Sequence, residues 1–236
     1  MVTCKRGRPA VQTGTFKQGF FLSFEGIEGC GKTTQLNGLA RRLRALGYLV
    51  VETREPGGSP LSEQIRTILL DPHNQAMDPR CELLLFLAVR AQHVNEIIRP
   101  ALEKGAVVLC DRFTDATVAY QGSARRLGAA FVARLNRVAT SGLLPNLTIF
   151  LDVPVALGLA RKKKAGRLDR LDRERADFHQ AVRNGYVRIA KQHPRRMYTI
   201  DGAASKDDVG RAIDRIVQRR LRARKIGLTR IERHAV

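Results

Sequence analysis

Short, nearly unbroken apolar runs recur along the chain at Phe20-Phe21-Leu22-Ser23-Phe24, Tyr48-Leu49-Val50-Val51, Ala106-Val107-Val108-Leu109-Cys110, Leu147-Thr148-Ile149-Phe150-Leu151 and Met197-Tyr198-Thr199-Ile200. They lack the strict alternation of a strand with one wet face, so each reads as a strand covered on both sides. Between them, apolar residues return every three or four positions. That spacing predicts helices near 32–46, 60–70, 78–104, 127–140, 154–163, 172–192 and 206–222. Pro100 is expected to perturb the third of these near its end, because it has no N–H to donate. Strand and helix signals in alternation predict an α/β protein built on a five-stranded parallel sheet.

Composition narrows the class. With 44% hydrophobic residues in a chain of 236, one sizeable core can be buried, and disulfide scaffolds, collagen-like repeats and wholly disordered chains are excluded. The longest apolar run, Cys81 to Val89, is broken by Glu82 and ends at Arg90, far short of the roughly 18 apolar residues a membrane span needs. No membrane partner is expected. Cys4, Cys30, Cys81 and Cys110 form no C-x-x-C pair, so a zinc site or disulfide framework is not indicated and a reducing cytoplasm is the expected compartment.

Charge changes the picture more. Lys plus Arg number 42 against 22 Asp plus Glu, a net charge of +20 that draws polyanions. Half of that excess lies at the ends: Lys5, Arg6, Arg8 and Lys17 in residues 1–19, and seven basic side chains against Glu232 in residues 218–236. Residues 1–19, without an apolar signal core, read as a basic disordered arm, with a transit peptide the weaker alternative. Residues 20–217 read as the folded domain. Residues 218–236 read as a basic extension into which the last helical pattern, through Leu221, continues. Salt-sensitive contact with nucleic acid through these tails is expected as a side property.

The first strand runs directly into Gly26-Ile27-Glu28-Gly29-Cys30-Gly31-Lys32-Thr33, followed by Thr34 and a helical pattern. This is G-x-x-x-x-G-K-[ST] in the strand-to-helix context that gives it meaning. The chemistry needs glycines because main-chain N–H groups must turn inward around phosphate oxygens. The helix N-terminus adds partial positive charge. Lys32 can reach the β- and γ-phosphates, and the Thr33 hydroxyl can take a place on Mg²⁺. These features predict a three-layer α/β/α P-loop NTPase fold. A second metal-holding acid is expected at the end of a neighbouring strand, where Asp111 stands. An N-cap is the ordinary alternative for Asp111, and a surface salt bridge is that for Arg112 beside it.

Five signals now occur in order: Phe24-Glu25-Gly26-Ile27-Glu28-Gly29, Thr53-Arg54-Glu55-Pro56-Gly57-Gly58, Phe86-x-Ala88-x-Arg90-x-x-His93, Asp111-Arg112-Phe113 and Ala119-Tyr120-Gln121-Gly122. Together they resemble the thymidylate kinase family over residues 20–217. The resemblance implies an ATP site formed by Gly26, Ile27, Glu28, Gly29, Cys30, Gly31, Lys32, Thr33 and Thr34. It implies that thymine stacks on Phe86, that Arg90 donates to a base carbonyl and that Thr117 faces the thymine edge. Tyr120 would crowd the sugar 2′ position. Arg54, Arg66 and Arg112 would grip the acceptor 5′-phosphate, with Glu55, Pro56 and Gln121 completing the substrate set. Glu28 would lie near the acceptor phosphate and orient it through Mg²⁺ or a 3′-hydroxyl contact.

Gly29 leaves the loop without an arginine, which resembles members whose arginines come from a mobile lid. The basic stretch at 161–173 fits that part, with Arg161 and Arg170 matching lid arginines by position; a solvated basic face is the ordinary reading of any one of them. The implied reaction is Mg²⁺-dependent phosphoryl transfer from ATP to dTMP, catalysed through Lys32, Arg112, Arg161, Arg170 and Glu28, in a homodimer. Departures are Cys30 where alanine is commoner, Ala116 where serine is common and Asp172 where glutamate is common. Two rivals stand beside this reading: a P-loop kinase of another nucleoside monophosphate, and a basic nucleic-acid-binding P-loop module.

Overall fold

The computed structural model describes residues 19–166 and 168–224. The expected N-terminal arm apart from Gly19, Arg167 of the expected lid and residues 225–236 of the expected extension lie outside the described residues. Five strands, β1 (Phe20–Glu25), β2 (Val50–Arg54), β3 (Val107–Asp111), β4 (Leu147–Asp152) and β5 (Met197–Asp201), make one parallel sheet ordered β2-β3-β1-β4-β5. The helices are α1 (Lys32–Ala45), α2 (Pro60–Leu70), α3 (Pro79–His93), α4 (Arg99–Glu103), α5 (Thr114–Thr117), α6 (Ala129–Ala139), α7 (Val155–Lys164), α8 (Ala176–Gln192) and α9 (Lys206–Ala223).

The unbroken apolar runs have the cause expected of them. Successive residues of a strand face opposite sides. Phe20, Leu22, Phe24, Val107, Leu109, Leu147 and Ile149 pack into the main core with α1, α8 and α9. Phe21, Val108 and Cys110 pack into a second core with Val94, Ile98, Ala101 and Leu102. Both faces are covered, so apolar residues fill most positions of the inner strands. The edge strand β2 is different: it begins at Val50 and runs through exposed Glu52 and Arg54, ending three residues beyond the expected apolar run.

Two stretches depart from the expected helices. The predicted helix 78–104 is α3 and α4 joined by a π-helical turn, Val94–Ile98. Pro100 explains the widening, since its ring clashes with the carbonyl four residues earlier and it leaves that carbonyl without a donor. Residues 114–124, outside the predicted helices, form α5 followed by a π-helical turn at Val118–Ala124. The boundary expected at 217 falls inside α9, which continues to Ala223 with Leu221 only 1% exposed in the main core. Ser205 caps α9, accepting from the Asp208 N–H at 3.2 Å. No helix among the described residues is long and apolar enough to cross a membrane.

Leu221 therefore belongs to the folded body. Leu221→Ala is expected to lower stability by about 2–4 kcal/mol in urea unfolding; wild-type stability would place the end of α9 outside the core.

Candidate active site

The loop between β1 and α1 lies at the C-terminal edge of the central strand. Gly26, Gly29 and Gly31 have φ of 141°, 68° and 95°, values that side-chain-bearing residues rarely adopt. A Cβ at Gly29 would stand 2.0 Å from the Gly158 carbonyl oxygen, so α7 can approach only glycine there. No side chain caps α1. Its N-terminal N–H groups are therefore left for an anion. Lys32 Nζ donates to the carbonyls of Ile27 (3.0 Å) and Gly26 (3.2 Å), which braces the loop from within.

Thr33 Oγ1 donates to Asp111 Oδ2 at 2.7 Å. The two side chains meet because β3 pairs with β1 in a register that places Asp111 beside Phe24, at the root of the loop. Two hard oxygen donors next to a phosphate loop suit Mg²⁺, which completes its shell with phosphate oxygens and water. Among the described residues no cluster of three or more His, Cys, Asp or Glu could hold a metal alone.

Arg112 follows Asp111 with φ 72°, and this turns its guanidinium under the loop. Nη1 donates to the Gly26 carbonyl (2.9 Å) and the Tyr186 hydroxyl (3.2 Å), and Nη2 to Glu28 Oε1 (3.0 Å). The Tyr120 ring lies 5.0 Å from the guanidinium carbon. Tyr120 also donates its hydroxyl to Glu28 Oε1 at 2.5 Å, and His179 Nδ1 lies 3.2 Å from Glu28 Oε2. Burial alone would raise the Glu28 pKa. Arg112, the His179 hydrogen bond, Lys32 and Tyr120 outweigh it and hold the carboxyl well below the usual range. Glu25, one strand end below, behaves oppositely. Burial and then Asp115 push it up to about 8 against the pull of Arg112, the Tyr186 hydroxyl and the Phe113 N–H.

One cleft of about 660 Å³ joins these groups to the remaining candidates. Its wall includes Glu28, Gly29, Cys30, Gly31, Lys32, Thr33 and Thr34 on one side and Arg54, Glu55, Pro56, Arg66, Phe86, Arg90, Arg112, Thr117, Tyr120 and Gln121 on the other, with Asp111 between. Gly26 and Ile27 are not in the wall; Gly26 supplies a carbonyl to Lys32 and Arg112, and Ile27 is core. Arg54 is tied to Glu63 at 2.9 Å and Arg66 to the Pro56 carbonyl at 2.5 Å, each with N–H groups to spare. Burial and the nearby Arg54 lower the Arg66 pKa.

Two expected roles meet a different geometry. Arg90, 1% exposed, commits four of its N–H donors to hydrogen bonds with the protein and forms an ion pair with Glu55. Nε and Nη2 hold Glu55 Oε2 (2.8 and 2.6 Å), Nη1 holds Thr117 Oγ1 (2.7 Å) and Asn136 Oδ1 (2.6 Å), and Nη2 also donates to the Phe113 carbonyl (3.1 Å). In this arrangement Arg90 orients Glu55 and Thr117 while lining the cleft. Glu55 Oε1 is taken in turn by His93 at 3.0 Å. Arg170, expected as a lid catalyst, is outside the cleft wall and 3% exposed. Its Nη1 pairs with Glu82 at 2.6 Å and its Nε donates to the Leu69 carbonyl, so it clamps the lid to α2 and α3. Arg161 does line the cleft, donating to the Gly202 carbonyl at 3.0 Å beside Lys162, which pairs with Asp172 at 3.0 Å.

Sequence reasoning passed over Gly202, Ala204, Lys206 and Val209, which close the cleft beyond the phosphate loop. Their position just after β5, at the ligand-binding end of a parallel sheet, was the available signal. It also passed over His179 and Tyr186, whose α8 spacing reads only as a buried face.

A sequence model of the family described as Thymidylate kinase matches residues 24–213. The chain belongs to the thymidylate kinase family. Relatives in it include a thymidylate kinase of Geobacter sp. (strain M21), 49% identical over 221 residues that cover 91% of this chain and 98% of the relative. That of Geobacter sulfurreducens (strain ATCC 51573 / DSM 12127 / PCA) is 54% identical over 190 residues, 78% of this chain and 89% of the relative. The crystal structure of thymidylate kinase from Ehrlichia chaffeensis superposes with a TM-score of 0.69 at 33% identity, covering 85% of this chain and 99% of that one. The protein is thus an enzyme of the nucleoside monophosphate kinase kind with a P-loop α/β fold.

Because Glu25 titrates near 8 when folded and near 4.5 otherwise, the folded enzyme keeps a proton across that window that the unfolded chain has released. Its contribution makes stability fall as pH rises from 4.5 to 8. Glu25→Gln should flatten that fall in urea unfolding; an unchanged pH slope would refute the buried acid. Arg170→Ala should lower stability by about 3 kcal/mol by undoing a buried pair, and a large kcat loss at wild-type stability would restore the catalytic reading.

Proposed function

We propose that this enzyme transfers the γ-phosphoryl group of ATP to the 5′-phosphate of dTMP, giving dTDP and ADP, with Mg²⁺ as the metal. The observation that carries the reading is a single cleft with two anion-binding ends: main-chain N–H groups and Lys32 at one, and Arg54, Arg66 and Arg112 at the other. Two phosphorylated ligands laid end to end meet between them.

Phosphoryl transfer of this type runs through a loose, in-line transition state, so the protein works by positioning and charge neutralisation. Arg112 lines the cleft and keeps its Nε–H and one Nη2–H free of partners among the described residues, which leaves them for the acceptor phosphate. Ionised Glu28 fixes the Arg112 plane. Phe86, 9% exposed on α3, gives the thymine ring a flat apolar surface, and the Thr117 hydroxyl, already accepting from Arg90, has its proton to donate to the base edge. Thr33 and Asp111 hold the metal, which supplies neutralisation of the phosphate oxygens. Arg161 approaches from α7 on the donor side. No nucleophilic side chain and no strong general base is called for, because the acceptor phosphate is already a dianion in good part near neutral pH.

The family reading extends to a homodimer in the cytoplasm. Leu84 of α3 is 61% exposed while Leu83 and Leu87 pack against Val132 of α6 within the chain, so the outward row of α3 is the surface that supports pairing. The basic residues at 1–19 and 218–236 support salt-sensitive nucleic-acid contact as a side property.

A panel of dTMP, UMP, CMP and AMP in a coupled ADP-release assay tests the assignment. Turnover of dTMP should exceed that of the others, and Phe86→Ala should raise its KM about tenfold or more. Preference for UMP or AMP would overturn the reading.

A further inference from the structure

His179 sits on α8, 0% exposed and outside the cleft wall, yet its ring reaches the carboxylate that organises the acceptor end. We propose that His179 is a positioning residue for the acceptor-phosphate site: its Nδ1–H locks the Glu28 carboxylate from behind. The inference rests on the assignment of Glu28 and Arg112 to that site.

The argument begins with the two oxygens of Glu28. Oε1 receives both Arg112 Nη2 and the Tyr120 hydroxyl. Oε2 has His179 as its hydrogen-bond partner among the described residues. A carboxylate anchored at one oxygen swings easily, because its terminal torsion is broad. Fixing both oxygens sets its plane, and through it the plane of the Arg112 guanidinium that lines the cleft.

The place of the proton follows from the neighbours. Glu28, ionised among its donors, can only accept, so the proton of the 3.2 Å contact is on Nδ1. His179 Nε2 is buried with no partner among the described residues. The ring is further fixed edge-on by Phe178, with centroids 5.7 Å apart.

Two variants and one spectrum test this. His179→Phe keeps a ring and removes the donor; His179→Asn restores an amide N–H near the Nδ1 position. For His179→Phe the KM for dTMP should rise about tenfold, the loss expected for one hydrogen bond to a charged group, while the KM for ATP stays at the wild-type value. His179→Asn should recover most of that loss. In ¹⁵N spectra of histidine-labelled wild-type enzyme, the signal missing from His179→Phe should be that of a ring carrying a proton on Nδ1. A wild-type KM for dTMP in His179→Phe, an equal rise in both KM values, or a ring without a proton on Nδ1 would each overturn the proposal. Wild-type enzyme that does not turn over dTMP would instead sink the functional assignment, leaving the spectrum to decide the place of the proton alone.

Discussion

The contact between Arg112 and Glu28 is the constraint from which the cleft is built. One partner closes β3 and the other sits inside the phosphate loop, so the pair ties the two halves of the site across β1. Arg112 donates its main-chain N–H to the Phe24 carbonyl at 2.9 Å and its side chain to the Gly26 carbonyl, gripping β1 on both sides of its end. A buried carboxylate without a cation would take up a proton. With Arg112 in place it stays charged, and that charge orients Tyr120 and His179 in turn.

A second arginine shows how context separates chemistry from architecture. Arg90 and Arg112 both line the cleft, and both are planar forks suited to phosphate or base edges. Arg90 is surrounded by Glu55, Thr117, Asn136 and the Phe113 carbonyl, which take four of its donors. Arg112 meets fewer acceptors and keeps donors in reserve. Beneath them, Ser23, Thr148, Asp115 and Arg196 form a buried polar chain between β1 and β4, with the Ser23 and Thr148 hydroxyls 3.0 Å apart. The sheet below the site is therefore held by directional bonds as well as by apolar packing.

Much of this was readable before any coordinates. Five strands covered on both faces leave an unmistakable apolar trace, and the phosphate loop has a spacing that its chemistry demands. Thr33 beside Asp111, and Phe86 beside Tyr120, came from motif order and share one cleft. What failed to show in the letters was partnering and direction. Nothing in Phe86-x-Ala88-x-Arg90 says that Asn136, 46 residues away, will consume a donor. Arg170 looks like any other cation of a basic stretch until Glu82 is placed opposite it. Residues 114–124 escaped because a short helix running into a π turn has neither the 3.6-residue period nor the alternation that pattern reading detects.

That π turn also makes chain length a controlled quantity. Val118–Ala124 carries Tyr120 and Gln121 into the cleft and packs Ala119 so close to α8 that a Cβ on Gly185 would stand 3.0 Å from the Ala119 Cα. Deleting a single residue here would tighten the wide turn to an ordinary one and swing what precedes it by about 100° about the helix axis. Tyr120 would then leave the cleft with every side chain chemically intact. In lineages descended from this scaffold, the segment can exchange its letters but is poorly placed to gain or lose one.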